Sequence, residues 1–234
     1  MKISALVLVF CCLGSSSAWL VAQDQALLTP DLAWQRLKDG NSRFAADRSE
    51  RKDLGASKRQ GLVKGQHPFA IVLACADSRV PPEHIFHQGL GDIFVIRVPG
   101  NYVDTSIIGA IEYAVEHLHV PLIVVLGHED CGVVKAAMSK DRPDGNLGKL
   151  LNQIHIGKDL PKDKDEALAA ATRNNVRYQT DLLTRDSDVI RQHVIQKKLA
   201  IVSGVYLLST GKVEWFNRQL VLVPQGGNRG APRR

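Results

Sequence analysis

Four short, mainly apolar runs occur along the chain, and segments with helical spacing separate most of them. The runs cover 69–74, 93–96, 122–126 and 199–208. A run of this length without polar alternation is typical of a strand that is buried on both faces of a parallel sheet. A tight turn at Thr210 and Gly211 predicts a fifth strand over 212–216, paired antiparallel at the edge. Strands that alternate with helices indicate an α/β fold with a mostly parallel central sheet flanked by helices.

The segments between the runs predict the helices. The first helix should cover 30–47, because Thr29 is a candidate N-cap and Pro30 suits the first helical position. Further helices are predicted to end near Gly65 and to span 107–118, 131–139, 165–183 and 187–198. Residues 140–148 contain proline and glycine and are expected to form a loop. Neither a repeat nor a linker interrupts this order, which predicts a single domain.

The composition is that of a folded globular protein. Of 234 residues, 44% are apolar and 23% are charged, which excludes the low-apolar, high-charge pattern of a disordered chain. The length suits one domain with a full hydrophobic core. The 30 Lys and Arg against 24 Asp and Glu give a net charge of +6, which is mildly basic and lacks the clustered charge of a nucleic-acid binder. We therefore expect no nucleic-acid partner.

Residues 1–22 have the order of a secretory signal peptide. A positive charge is followed by an apolar run and then by small residues up to Ala18. The apolar run is too short to span a bilayer, and a buried N-terminal helix is the alternative interpretation. We expect cleavage after Ala18 or Ala22, which leaves a catalytic domain over 23–224 and a flexible basic tail over 225–234. A periplasmic or secreted protein is the corresponding prediction.

Two cysteines belong to the predicted mature chain, Cys75 and Cys131. A disulfide is the simplest expectation in an oxidising compartment. However, Cys75 directly follows the first apolar run, and Cys131 follows the third run shortly after His128. Ligands bind at the carboxyl ends of the strands in a parallel sheet. If these two strands are neighbours, the three side chains converge on one point.

Two thiolates and one imidazole are good zinc ligands. Three protein ligands leave the fourth position open, which is the arrangement of a catalytic zinc site. Cys131 also begins a predicted helix, so its thiolate faces the positive end of the helix dipole. Each motif alone is weak, since a lone cysteine is commonly a small buried hydrophobe. Together the two segments use both cysteines of the mature chain, which favours one zinc ion per subunit over a disulfide.

The chain resembles the β-class carbonic anhydrases, in a bacterial, exported form. The resemblance is close over 66–134 and follows the fold order to Phe216. Its motifs are Cys-Ala-Asp-Ser-Arg-Val at 75–80, Gly-Asp-Ile-Phe-Val at 91–95, Ile-Glu-Tyr-Ala at 111–114 and Gly-His-Glu-Asp-Cys-Gly at 127–132. It implies a zinc ion on Cys75, His128 and Cys131. It also implies that zinc-bound hydroxide attacks carbon dioxide and yields bicarbonate and a proton.

The resemblance also assigns roles around the metal. Asp77 and Arg79 would form the catalytic dyad, in which Arg79 holds Asp77 off the zinc so that the carboxylate accepts a hydrogen bond from the hydroxide. Gln66 would be the substrate-facing glutamine. Phe94, Tyr113 and Gly132 would wall the carbon dioxide pocket, and some of these three would be reached across a dimer interface. A homodimer or a dimer of dimers is therefore expected.

Two positions bear on variation within the family. Some members with an inhibitory bicarbonate site carry a tryptophan where this chain has Val72, which predicts an always-open site. Residues 97–101 read Arg-Val-Pro-Gly-Asn, whereas many relatives have Arg-Asn-x-Ala-Asn. We expect Pro99 to stiffen this loop and Gly100 to loosen it.

Three other functions fit the same segments. The first is hydrolysis of a related small molecule, such as carbon disulfide or carbonyl sulfide, because one fold can carry several activities. The second is a non-catalytic zinc-binding protein, and the third is a redox protein that uses the two cysteines. The complete pair of Asp77 and Arg79 favours carbon dioxide as the substrate.

Overall fold

The computed structural model describes residues 28–216, and five strands in this range form one sheet. The strands are β1 (Ala70–Ala74), β2 (Ile93–Arg97), β3 (Leu122–His128), β4 (Ala200–Tyr206) and β5 (Val213–Trp215). Their spatial order is β2-β1-β3-β4-β5. The first four pair in parallel, and β5 pairs antiparallel with β4. The predicted α/β fold with its antiparallel edge strand is confirmed.

Eight α-helices connect and flank these strands within the described range. They are α1 (Pro30–Ala45), α2 (Ala56–Gly61), α3 (Pro82–Ile85), α4 (Thr105–His117), α5 (Gly132–Met138), α6 (Gly145–Leu151), α7 (Lys164–Asp186) and α8 (Asp188–Ile195). A 3₁₀ turn covers Pro99–Asn101. As predicted, Thr29 caps α1 by accepting a hydrogen bond from the Leu32 N–H. No helix between residues 28 and 216 has the length and apolar character to cross a bilayer.

The prediction of a loop over 140–148 is partly wrong. Helix α6 begins at Gly145 and continues to Leu151, which is fully buried. The proline and glycines of this segment predict a loop, but burial of Leu151 stabilises a helix that local propensity disfavours. The predicted signal segment 1–22 and the predicted tail 225–234 lie outside the described residues.

The sheet is covered on both faces. Ile71 and Leu73 belong to a core cluster that includes residues of α4, α7 and α8. The alternate residues Ala70 and Val72 belong to a second cluster with α1 and α3. Successive side chains of a strand point to opposite faces, so both sets must be apolar. This explains why the strands read as mainly apolar runs.

A third apolar cluster lies beyond the carboxyl ends of the central strands. It contains Cys75 and Cys131 together with Val134 of α5, Leu151 of α6 and Ala171 of α7. All five residues are buried. The fold therefore places both thiols of the described chain in one buried region at the edge where α/β sheets bind ligands.

Candidate metal centre

The sheet topology brings the three predicted ligands together. Strands β1 and β3 are parallel neighbours, with Ala74 opposite Leu126. Cys75 follows β1, His128 is the last residue of β3, and both cysteines are free. One ligand atom from each of Cys75, His128 and Cys131 lies within 4.8 Å of the other two. The prediction that they converge is confirmed.

The imidazole of His128 presents one nitrogen to the two sulfurs. Its Nδ1 lies 2.8 Å from the carbonyl oxygen of Glu129. Because a carbonyl only accepts, Nδ1 carries the proton and Nε2 has a free lone pair. Nε2 is buried and has no hydrogen-bond partner among the described residues. A buried acceptor without a donor is costly, and metal-ligating histidines commonly donate their other N–H to a backbone carbonyl. The donor set therefore fits a zinc ion.

The two thiols differ in acidity. The pKa of Cys75 falls to about 4, chiefly because the Cys131 thiol donates to its sulfur, and the Gly100 N–H lowers it further against the opposing effect of burial. The pKa of Cys131 is raised by the neighbouring Cys75 sulfur and by burial. Two thiolates this close repel each other in a buried space, and a divalent cation would neutralise both.

A carboxylate beside the cluster is held by an arginine. Arg79 Nε donates to Asp77 Oδ1 at 3.0 Å, and Arg79 Nη2 donates to Asp77 Oδ2 at 2.8 Å. This fork holds the pKa of Asp77 well below its usual range, so the carboxylate is ionised. Asp77 Oδ2 also lies 3.9 Å from His128 Nε2. An ionised carboxylate, already engaged by a cation, therefore adjoins the candidate ligands.

Sequence reasoning missed Arg97 as part of the site. It is the last residue of β2, the strand that neighbours β1. Its Nε donates to the carbonyl of Cys75 at 3.1 Å, and its Nη2 donates to the carbonyl of Asp77. The side chain thereby fixes the backbone that carries the first thiol and the carboxylate. Its position at the carboxyl end of a predicted strand was the signal that could have identified it.

The turn at Pro99–Asn101 contacts the cluster directly. Gly100 has φ of +72° and donates its N–H to Cys75 Sγ at 3.2 Å. Its carbonyl accepts from Asn175 Nδ2 at 2.9 Å. The sequence led us to expect that Gly100 loosens this loop. The turn is instead fixed by hydrogen bonds on both sides of the glycine.

The four predicted substrate-binding positions are not all near the cluster. Gly132 directly follows Cys131, and a Cβ atom at this glycine would meet no heavy atom within 4 Å. Phe94 lies within β2 opposite Ile71. The remaining two positions are exposed: Tyr113 lies on α4, and Gln66 precedes β1, at the opposite end of that strand from the cluster.

Comparison with known proteins identifies the family. A family model described as carbonic anhydrase matches residues 70–213. Carbonic anhydrase 2 of Mycobacterium tuberculosis is 39% identical over 189 residues, which cover 78% of this chain and 91% of that protein. A tetrameric β-carbonic anhydrase of Sordaria macrospora superposes with a TM-score of 0.63 at 27% identity, covering 76% of this chain and 94% of that one. The chain belongs to the β-class carbonic anhydrase family.

Two further relatives agree with this assignment. The carbonic anhydrase of Mycolicibacterium smegmatis is 39% identical over 193 residues, which cover 79% of this chain and 92% of that protein. A β-carbonic anhydrase of Aspergillus fumigatus has a TM-score of 0.63 at 28% identity, covering 76% of this chain and 87% of that one. The resemblance found in the sequence motifs is confirmed, and the chain is a carbonic anhydrase, a lyase. Members of the β-class are zinc enzymes whose general activity is carbon dioxide hydration.

Proposed function

We propose that this carbonic anhydrase hydrates carbon dioxide at a zinc ion bound by Cys75, His128 and Cys131. Two observations carry the proposal: one ring nitrogen of His128 lies within 4.8 Å of two free sulfurs, and the buried Nε2 of His128 has no hydrogen-bond partner among the described residues. When bound, zinc lowers the pKa of a water ligand and supplies hydroxide near neutral pH. Three protein ligands leave one position for that water.

Asp77 and Arg79 orient the proton of the nucleophile. The fork of Arg79 occupies one lone pair on each oxygen of Asp77, which keeps the carboxylate ionised. Oδ2 retains a free lone pair and lies 3.9 Å from His128 Nε2, so it would accept a hydrogen bond from an O–H group bound beside that nitrogen. Engagement by Arg79 also opposes movement of the carboxylate into that position. Arg97 supports this geometry because its Nη2 donates to the backbone carbonyl of Asp77.

We also propose that the substrate pocket is completed in a homodimer or a dimer of dimers. Gln66 and Tyr113 are both exposed, and Gln66 precedes the strand whose far end carries Cys75. In the family resemblance these positions face the substrate, and some reach it across a dimer interface. β2 is an edge strand whose apolar residues are only partly buried, which leaves a surface for a second copy.

The location of the enzyme follows from the sequence alone. We propose that residues 1–22 direct export and that the domain over 23–224 acts in the periplasm or outside the cell, with 225–234 as a basic tail. N-terminal sequencing of protein from the exported fraction should begin at Trp19 or Gln23, after cleavage behind Ala18 or Ala22. An uncleaved Met1 in that fraction would refute this processing.

Stopped-flow hydration of carbon dioxide, on protein of measured zinc content across pH, tests the proposed reaction. We expect activity proportional to zinc and no turnover of carbon disulfide or carbonyl sulfide. Cys75→Ala should lose both zinc and activity. Val134→Ala is the matched control, because Val134 is buried in the same cluster but has no ligating atom. Full zinc with no carbon dioxide hydration would contradict the proposal.

A further inference from the structure

A buried series of hydrogen bonds connects helix α7 to the sulfur of Cys75. Gly100 donates its N–H to Cys75 Sγ at 3.2 Å, and its carbonyl accepts from Asn175 Nδ2 at 2.9 Å. One turn later on α7, Gln179 Nε2 donates to Asn175 Oδ1 at 3.1 Å. Asn175 and Gln179 are each 1% exposed. These two side chains, the carboxamide pair, lie behind the turn that contacts the sulfur.

Backbone donors determine the orientation of the carboxamide pair. The Val103 N–H donates to Gln179 Oε1 at 2.8 Å, and the His155 N–H donates to Asn175 Oδ1 at 3.0 Å. A backbone N–H can only donate, so both side-chain oxygens must face these groups. The NH₂ group of Asn175 must then face the carbonyl of Gly100. The pair therefore has one hydrogen-bonding arrangement, in which it donates toward the turn.

The backbone of Gly100 depends on this support. Its φ of +72° lies in the left-handed region, and a Cβ atom would lie 2.6 Å from Ile154 Cδ1. Ile154 contacts the turn on one side, and Asn175 holds the Gly100 carbonyl on the other. A local bond from the Asn101 N–H to the Val98 carbonyl, at 2.9 Å, closes the turn, and the contacts with Ile154 and Asn175 hold the closed turn against the sulfur.

We propose that Asn175 and Gln179 are positioning residues that hold the Gly100 N–H on the Cys75 sulfur and thereby tune this sulfur as a metal ligand. A hydrogen bond from an N–H to a thiolate is charge-assisted and withdraws electron density from sulfur. The Gly100 carbonyl belongs to the next peptide group, so donation from Asn175 acts by fixing the Gly100 backbone and with it the direction of the Gly100 N–H. The inference rests on the proposed role of Cys75 as a zinc ligand.

Substitution of Asn175 by leucine tests the role of the pair. Asn175→Leu keeps the volume and removes the donor to the Gly100 carbonyl. Asn174→Leu is the matched control, because Asn174 Nδ2 donates to the carbonyl of Ile156, at 3.1 Å and in a different loop. Each protein is measured for its zinc Kd by chelator competition and, with cobalt(II) in place of zinc, for the energy of the thiolate-to-cobalt charge-transfer band.

We expect Asn175→Leu to weaken zinc binding by about 10- to 100-fold, the usual effect of losing a partner of a ligand. Its charge-transfer band should move to lower energy, because the sulfur becomes more electron-rich. Asn174→Leu should match the wild type in both. A band that stays in place, even in a variant that unfolds at lower temperature, would show a merely structural role and overturn the inference.

Further variants keep the test decisive. If Asn175→Leu does not fold, Asn175→Ser removes the same donor, because the shorter side chain cannot reach the Gly100 carbonyl, and the same band shift is expected. Gln179→Leu should give a smaller shift in the same direction, and an unmoved band would remove Gln179 from the proposal. A wild-type protein that binds neither zinc nor cobalt would instead refute the metal centre itself. The two failures are therefore distinguishable.

Discussion

Asp77 is the residue on which the proposed chemistry depends most directly. A carboxylate 3.9 Å from His128 Nε2 is near enough to move onto a metal held by that nitrogen. Arg79 opposes that movement because its side chain binds both oxygens of the Asp77 carboxylate. The backbone N–H of Arg79 also donates to Asp77 Oδ1, at 2.9 Å. Oδ1 accepts both the Arg79 Nε and backbone N–H bonds, so the free lone pair of the carboxylate is on Oδ2. One residue pair can thus keep the site open and orient the nucleophile.

Asp77→Asn should retain zinc and lose most activity. The amide keeps the shape of the side chain but loses the negative charge that accepts the hydrogen bond of the nucleophile, so we expect kcat/KM to fall by about 100-fold or more. Stopped-flow hydration with parallel zinc analysis measures both. Asp130→Asn is the control, because Asp130 also faces Arg79, at 3.8 Å, but its side chain is half exposed. Wild-type turnover in Asp77→Asn at full zinc content would contradict the assigned role.

The stabilising effect of Asp77 should persist into acid. Its pKa is depressed by Arg79, so its contribution is complete above the ordinary aspartate pKa of about 3.9 and is lost only as the pH falls through the lower folded value. The difference in Tm between the wild type and Asp77→Asn should therefore stay constant from pH 8 to about pH 4.5. Thermal unfolding of both proteins at equal zinc content checks this. A difference that vanishes between pH 7 and pH 5 would refute it.

At the scale of elements, β3 and α7 approach each other so closely that a side chain is excluded between them. A Cβ atom on Gly127 would lie 2.4 Å from Val176 Cγ2. Gly127 directly precedes His128, and Val176 directly follows Asn175. The packing of this one helix against this one strand therefore sets the distance between the proposed ligand and the carboxamide pair.

Gly127→Ala should destabilise the enzyme by about 1–3 kcal/mol, because the added methyl group overpacks a buried contact. Adding Val176→Ala to the same chain should restore part of the loss, since it removes the opposing methyl groups. Urea unfolding of the single and double variants measures both effects. Gly109→Ala on α4 is the control, because a Cβ there meets nothing within 4 Å, and stability should stay equal or rise. Equal stability of Gly127→Ala and the wild type would show that the contact relaxes freely.

At the scale of the whole molecule, the described chain carries the proposed metal ligands and the dyad but leaves two of the predicted substrate positions exposed. Gln66 is exposed before the first residue of β1, at the end of that strand opposite the cluster, and Tyr113 is exposed on α4. A closed dimer with two-fold symmetry would give each site the same residues from the other copy. Such an enzyme contains two sites, each built from both chains.

Mixing two inactive variants distinguishes this arrangement from a site built within one chain. Gln66→Ala and Asp77→Asn should each be nearly inactive as homodimers. If Gln66 serves the other subunit, a mixed dimer has one site with both residues intact, so equal co-expression should restore about a quarter of wild-type activity by random pairing. A different affinity tag on each variant, with pull-down through one tag and detection of the other, confirms that mixed dimers form. No recovery in confirmed mixed dimers would place Gln66 in its own chain's site.

The presence and direction of β1 to β5 could be predicted from local pattern, but their order in the sheet could not. Apolar runs indicate burial on both faces, and parallel strands end at one edge, so Cys75, His128 and Cys131 were candidate ligands on the condition that β1 and β3 are neighbours, which the tertiary structure decided. The motif around Asp77 and Arg79 was equally local, because the two residues are two apart in sequence. These features depend on short-range periodicity and on chain direction, which the sequence by itself determines.

The hydrogen bonds that support the site depended on the tertiary structure. The bond between Gly100 and Asn175 joins residues 75 positions apart, and the bond between Arg97 and Cys75 joins residues on neighbouring strands. The sequence around an asparagine within a helix does not indicate which distant residue its side chain will hydrogen-bond. Its role is decided by where α7 crosses the sheet, because that packing alone brings a buried amide to the turn beside the sulfur.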